Sequence, residues 1–219
     1  MKTLRWFQAF LLLASAALGC GREPLGGVAP EEALKRLLDG NARYVTAKAT
    51  HPDQTAERRT AVAVAQSPFA VVVGCSDSRV PPEVIFDQGL GDLFVVRSAG
   101  HVMDDASLGS LEYAVEHLGA HLILVLGHER CGAVDAAVKG LKAEGHIAAI
   151  AKAIQPAVEA ARGKPGDWLD NAVRANVGLV TQSLNNSKPL LHESVEAGKL
   201  KVVGARYDLD TGAVELVTP

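Results

Sequence analysis

Cys75, His128 and Cys131 are the residues of this 219-residue chain whose types and spacing could do chemistry together. Two thiols and an imidazole make a zinc set: soft thiolate sulfurs with an aromatic nitrogen, three protein ligands leaving a fourth tetrahedral position open. Val71-Val72-Val73-Gly74 runs into Cys75, and Leu124-Val125-Leu126-Gly127 runs into His128. Both are apolar runs ended by a glycine, which lets the chain turn sharply at the candidate ligand. Loops at the carboxyl ends of parallel strands are where open α/β sheets bind ligands. His128 and Cys131 are three apart, a spacing that predicts one face of the first turn of a following helix. After Cys75 comes Ser76-Asp77-Ser78-Arg79. Asp77 can reach the same metal or its water, and Arg79 can hold that carboxylate in a bidentate clamp.

Blander readings compete. Cys75 and Cys131 could be buried small apolar residues, or a disulfide in an oxidising compartment. Neither accounts for His128 at the matching strand end, or for the polar cluster beside Cys75. A structural zinc normally closes with a fourth Cys or His, and no Cys-x-x-Cys pair stands in the chain.

To bring Cys75 beside His128, two buried strands must lie parallel. Residues 69–73, 93–96 and 121–126 are continuous apolar runs without polar alternation, as expected of strands buried on both faces. Between the last two, residues 106–118 read as a crossover helix, with Leu108, Leu111, Val115 and Leu118 on one side. Pro30-Glu31-Glu32 opens an N-terminal helix carried to residue 48 by Leu34, Leu37 and Leu38. Residues 55–66, 147–162 and 168–186 predict further helices, and 199–205 and 214–217 C-terminal strands. The expected fold class is α/β: a mostly parallel central sheet flanked by helices, with an N-terminal helical arm.

Composition narrows the function classes. With 22 Lys+Arg against 25 Asp+Glu, the formal charge of −3 offers no basic footprint for nucleic acid. Three cysteines cannot build a disulfide framework, so a packed core must carry stability. The N-terminus reads as an export signal: Lys2 and Arg5 precede an apolar run over 7–18 that is too short for a permanent span. Ala17-Leu18-Gly19-Cys20 resembles a bacterial lipoprotein signal, in which Cys20 becomes the lipidated first residue; ordinary cleavage after Ala16 is the competing reading. The domain plan is then a signal over 1–19, a Gly- and Pro-rich tether over 20–29 and one domain over 30–219. The mature protein is expected in the periplasm, or lipid-anchored at the cell envelope, at the outer membrane.

Cys75-x-Asp77-x-Arg79 followed by His128-x-x-Cys131 resembles the β-class carbonic anhydrase signature. The likeness runs over about residues 31–217, including Gly109-Ser110-Leu111-Glu112-Tyr113 and Val202-Val203-Gly204-Ala205. It implies one Zn²⁺ per subunit on Cys75, His128 and Cys131, and reversible hydration of carbon dioxide to bicarbonate and a proton by a zinc-bound hydroxide. It also implies that Asp77 orients the attacking oxygen while Arg79 keeps Asp77 ionised; in a closed state Asp77 becomes the fourth ligand. Gln66, Phe94, Tyr113 and Gly132 match substrate-pocket positions, with Tyr113 lent by a neighbouring subunit. A homodimer or tetramer is implied, with residues 31–48 as an exchanged arm. Val72 replaces the Trp of the bicarbonate-inhibited subtype, which favours an open metal. Ala99 and His101 depart from the commoner residues; His101 is either a hydrogen-bonding stand-in, a proton relay or merely structural. The rival functions are hydrolysis of carbonyl sulfide or carbon disulfide on the same scaffold, and a non-catalytic zinc-binding lipoprotein.

Overall fold

The computed structural model describes residues 27–142 and 144–217. The expected signal over 1–19 and the expected lipidation site Cys20 lie outside the described residues.

Five strands form one sheet in the order β2-β1-β3-β4-β5. They are β1 (Ala70–Cys75), β2 (Leu93–Ser98), β3 (Leu122–His128), β4 (Lys201–Tyr207) and β5 (Val214–Leu216). The first four are mutually parallel, and β5 runs antiparallel to β4. Every residue of β1 and β3 is buried. Because successive side chains point to opposite faces, each strand divides its apolar residues between two cores. Ala70, Val72, Leu122, Leu124, Leu126, Val203 and Ala205 face one side, under Ala33 and Leu37 of helix α1 (Pro30–Val45) and Ile85 of the short helix α3 (Pro82–Ile85). Val71, Val73, Ile123, Val125 and Val202 face the other. That side is covered by Leu111, Ala114 and Leu118 of α4 (Asp105–Leu118), Val177 and Leu184 of α7 (Trp168–Asn185), and Leu191 of α8 (Leu190–Glu196). A third cluster at the carboxyl end gathers Cys75 and Cys131 with α5 (Gly132–Val138), α6 (Ile147–Ala161) and α7.

Local chemistry sets the element ends. Asp104 caps α4 by accepting from the Ser107 N–H, and Gly119, at φ 70°, closes it in the left-handed conformation that costs glycine least. Asp167 caps α7 in the same way through the Asp170 N–H.

Two expectations need correction. The helix expected over 55–66 is α2 (Ala56–Val62), which ends early because none of its residues is buried and no packing draws it further. The run 93–96 is not buried on both faces: β2 is the edge strand, half-exposed, and pairs only with β1 among the described residues. The expected N-terminal helix is present as α1, with Ala33 and Leu37 buried in the core of the same chain. Just before it, Val28 packs on the same core.

Candidate metal centre

Cys75 closes β1 and His128 closes β3, so the parallel pairing of these strands delivers both side chains to one end of the sheet. Cys131 joins them from a different place than its spacing suggested. It is the N-cap of α5, and Arg130 before it adopts φ 50°, so the chain reverses between His128 and Cys131 instead of entering a helical turn. That strained turn is pinned: both terminal nitrogens of Arg130 donate to Asp210 at 2.8 Å.

The three donor atoms lie within 4.8 Å of one another, and all three residues are buried. Both cysteines are free, with their sulfurs 4.0 Å apart, about twice a disulfide bond. Two thiolates on a tetrahedral zinc, with bonds of about 2.3 Å, stand about 3.8 Å apart. The carbonyl of Glu129 can only accept, so His128 Nδ1 donates to it at 2.9 Å. That places the lone pair on Nε2, which is buried and has no hydrogen-bond partner among the described residues. The Cys75 thiol is held far below its ordinary range, above all by its hydrogen bond with Cys131, against burial, with help from the N–H groups of Gly100 and Asp77. The Cys75 thiolate and burial push Cys131 upward. Once one of these adjoining buried thiols ionises, it thus opposes ionisation of the other, a conflict that a divalent cation would relieve. The donor set fits zinc on each count.

Asp77 follows on the loop after β1. Its Oδ1 accepts from the Arg79 N–H and Nε–H, both at 2.9 Å, and its Oδ2 accepts from Arg79 Nη2 at 2.7 Å. The Arg79 hydrogen bond is the main reason its carboxyl lies well below the usual carboxylate range, burial opposing. Oδ2 stands 3.8 Å from His128 Nε2, so the carboxylate borders the ligand group while remaining paired with Arg79.

Arg97 and Asn176 hold the site together, and sequence reading assigned a role to neither. Arg97 donates through Nε to the Cys75 carbonyl at 2.7 Å and through Nη2 to the Asp77 carbonyl at 2.6 Å. Its signal was a cation closing an apolar strand; the parallel register sets it opposite Gly74. Asn176 sits among Ala172, Val173 and Val177 on the buried stripe of α7. A polar residue on such a stripe was the available sign.

The pocket residues are distributed differently. Gly132 opens α5 directly after Cys131, and a side chain there would meet nothing within 4 Å, so the surface beside Cys131 is open. Phe94 and Tyr113 stand together on the β2–α4 side, ring centroids 6.4 Å apart, with Tyr113 46 % exposed. Gln66 is exposed in the irregular segment after α2. Among the described residues no hydrogen bond or ring contact joins Gln66, Phe94 or Tyr113 to the ligand group. His101 is buried, and burial lowers its imidazole to about 4, so it is neutral at physiological pH.

The fold and donor set define a zinc-type centre at the carboxyl end of a parallel α/β sheet. Comparison with known proteins agrees: the carbonic anhydrase family model matches residues 70–214. The chain is 44 % identical over 191 residues to a carbonic anhydrase of Mycolicibacterium smegmatis, covering 85 % of this chain and 93 % of that one. It is 42 % identical over 191 residues to carbonic anhydrase 2 of Mycobacterium tuberculosis, covering 85 % and 92 %. The solved structure of the Coccomyxa β-carbonic anhydrase in complex with acetazolamide superposes with a TM-score of 0.65 at 28 % identity, covering 84 % of this chain and 85 % of that one. The chain belongs to the β-class carbonic anhydrase family.

Proposed function

We propose that the chain catalyses the reversible hydration of carbon dioxide to bicarbonate and a proton, with one zinc ion held by Cys75, His128 and Cys131. The observation that carries this reading is the free, buried Nε2 lone pair of His128, aimed into a group with two thiol sulfurs 4.0 Å apart. Zinc bound there supplies a Lewis acid that lets water react as a nucleophile near neutral pH. The protein does the rest. The Glu129 carbonyl holds His128 in the tautomer that ligates. Asp77, kept ionised by Arg79, presents Oδ2 as an acceptor for the hydrogen of the attacking oxygen and so turns its lone pair toward the carbon. That both Asp77 oxygens accept from Arg79 supports the open arrangement over the closed one. Arg97 fixes the carbonyls on either side of this loop, and the open surface at Gly132 supplies access.

Gln66, Phe94 and Tyr113 complete the substrate pocket across a contact between two copies of the chain. The half-exposed β2 edge and the 46 % exposed Tyr113 support that reading. Cys20 carries a lipid that anchors the protein at the periplasmic face of the outer membrane; the leader pattern before it supports this placement.

Stopped-flow hydration of carbon dioxide by zinc-loaded protein from pH 6.5 to 9 tests the activity. Catalysis already present near neutral pH is expected. Background rates at every pH with zinc confirmed bound would sink the reading, and sulfide release from carbonyl sulfide would replace it with the heterocumulene reading.

A further inference from the structure

The short turn Ala99–His101 after β2 carries two successive residues in the left-handed region, Gly100 at φ 65° and His101 at φ 45°. A non-glycine residue there is strained, so neighbours must hold it. The turn is wedged among three helices. A Cβ on Gly100 would stand 2.7 Å from Ile154 Cδ1 of α6 and 3.2 Å from Ala133 Cβ of α5. From α7, Asn176 Nδ2 donates to the Gly100 carbonyl at 3.0 Å and meets His101 Nε2 at 2.9 Å. The carbonyl can only accept, which orients the amide, so both amide hydrogens are used and His101 Nε2 is the second acceptor. On its other side the turn touches the metal centre: the Gly100 N–H donates to Cys75 Sγ at 3.3 Å.

We infer that Asn176 is a positioning residue for the metal centre: it clamps the Gly100–His101 turn so that the Gly100 N–H stays aimed at the sulfur of Cys75. The inference rests on the zinc reading above. An N–H bond to a thiolate draws electron density from the sulfur and fixes its direction, and outer-shell partners of this kind commonly change metal affinity by about 10- to 100-fold. The residue lies 101 positions from Cys75, on a helix that contributes no ligand.

The test is cobalt(II) titration of the full protein, read as the sulfur-to-cobalt charge-transfer band and as affinity against a chromophoric chelator. Asn176→Ala should move the band to longer wavelength, because a sulfur without its N–H partner donates more readily, and weaken affinity by about tenfold or more. Leu184→Ala, a cavity in the same helix away from the turn, should lower Tm while leaving band and affinity as in the parent. If Asn176→Ala does not fold, Asn176→Ser, which retains one short donor, should show the same red shift in smaller measure. Parental band and affinity in a folded Asn176 variant would overturn the inference and leave Asn176 a fold residue. A parent that takes up cobalt with no charge-transfer band would overturn the zinc reading, and this inference with it.

Discussion

At the scale of single residues, the centre works through what each donor is denied or offered. His128 Nδ1 is occupied by the Glu129 carbonyl, which leaves Nε2 without a hydrogen-bond partner among the described residues. Cys131→Ser removes one sulfur and leaves Cys75 and His128 with an incomplete set. Zinc below one per chain by elemental analysis is expected, with a Tm several degrees below the parent, because metal affinity here is also folding stability. Asp77→Asn keeps the shape and removes the charged acceptor. The expected result is a fall in kcat/KM of roughly 10²-fold or more at unchanged zinc content. The sign of the pH effect follows from the depressed Asp77 carboxyl, which is ionised throughout pH 6 to 9. Asp77→Asn should therefore lower the plateau of the pH–rate profile, and loss of the neighbouring negative charge should move its limb, if at all, to lower pH. A limb that moves to higher pH would overturn this placement of the Asp77 charge.

At the scale of elements, α1 and the segment after it are tied to the body by Asp87, a buried carboxylate just beyond α3. It accepts from Arg43 Nε at 2.6 Å, from the N–H groups of Thr50 at 3.0 Å and His51 at 2.9 Å, and from the Thr50 hydroxyl at 3.1 Å. Burial pushes its carboxyl up, but these donors together pull it down to about 2 from an ordinary 3.8. A carboxyl lowered on folding contributes stability that is complete above the unfolded value and is lost as pH falls through the folded one. Asp87→Asn should cost about 2 kcal/mol near neutral pH in denaturant melts, and the cost should vanish below about pH 2. Leu37→Ala tests the placement of α1. If the helix covers its own chain, the loss is about 2–5 kcal/mol, independent of protein concentration. A loss that grows on dilution would instead make α1 part of an interface between copies.

For the whole molecule, the expected assembly makes the active site a shared object. Tyr113→Arg should separate the copies in sedimentation velocity and, in the same step, lower hydration activity, because Tyr113 is 46 % exposed beside Phe94 of the edge strand and, among the described residues, no ring contact joins it to its own chain's ligand group. Separation with full activity retained would show that each chain builds its pocket alone. Envelope attachment belongs to the same scale: Cys20→Ser should move the protein from the membrane to the soluble fraction after cell disruption.

What the amino-acid order determined by itself was whatever depends on neighbours in the chain. The apolar runs ending in Gly74-Cys75 and Gly127-His128 announced parallel strands with ligands at their tips, because burial on both faces demands unbroken apolar residues. Asp77 and Arg79 were legible as a clamp because a two-residue separation suffices for it. The tertiary structure decided everything that turns on which distant surfaces meet. His128 and Cys131 looked like helix neighbours, but a pinned left-handed Arg130 makes them face each other across a turn, a conformation that spacing alone does not encode. The run 93–96 looked as buried as its partners, yet strand order leaves it at the sheet's edge. Arg97 and Asn176 acquire their partners only through the β1–β2 register and the packing of α7 on the turn after β2. Local propensity is blind to such contacts, which exist only once the sheet and its helices close around the site.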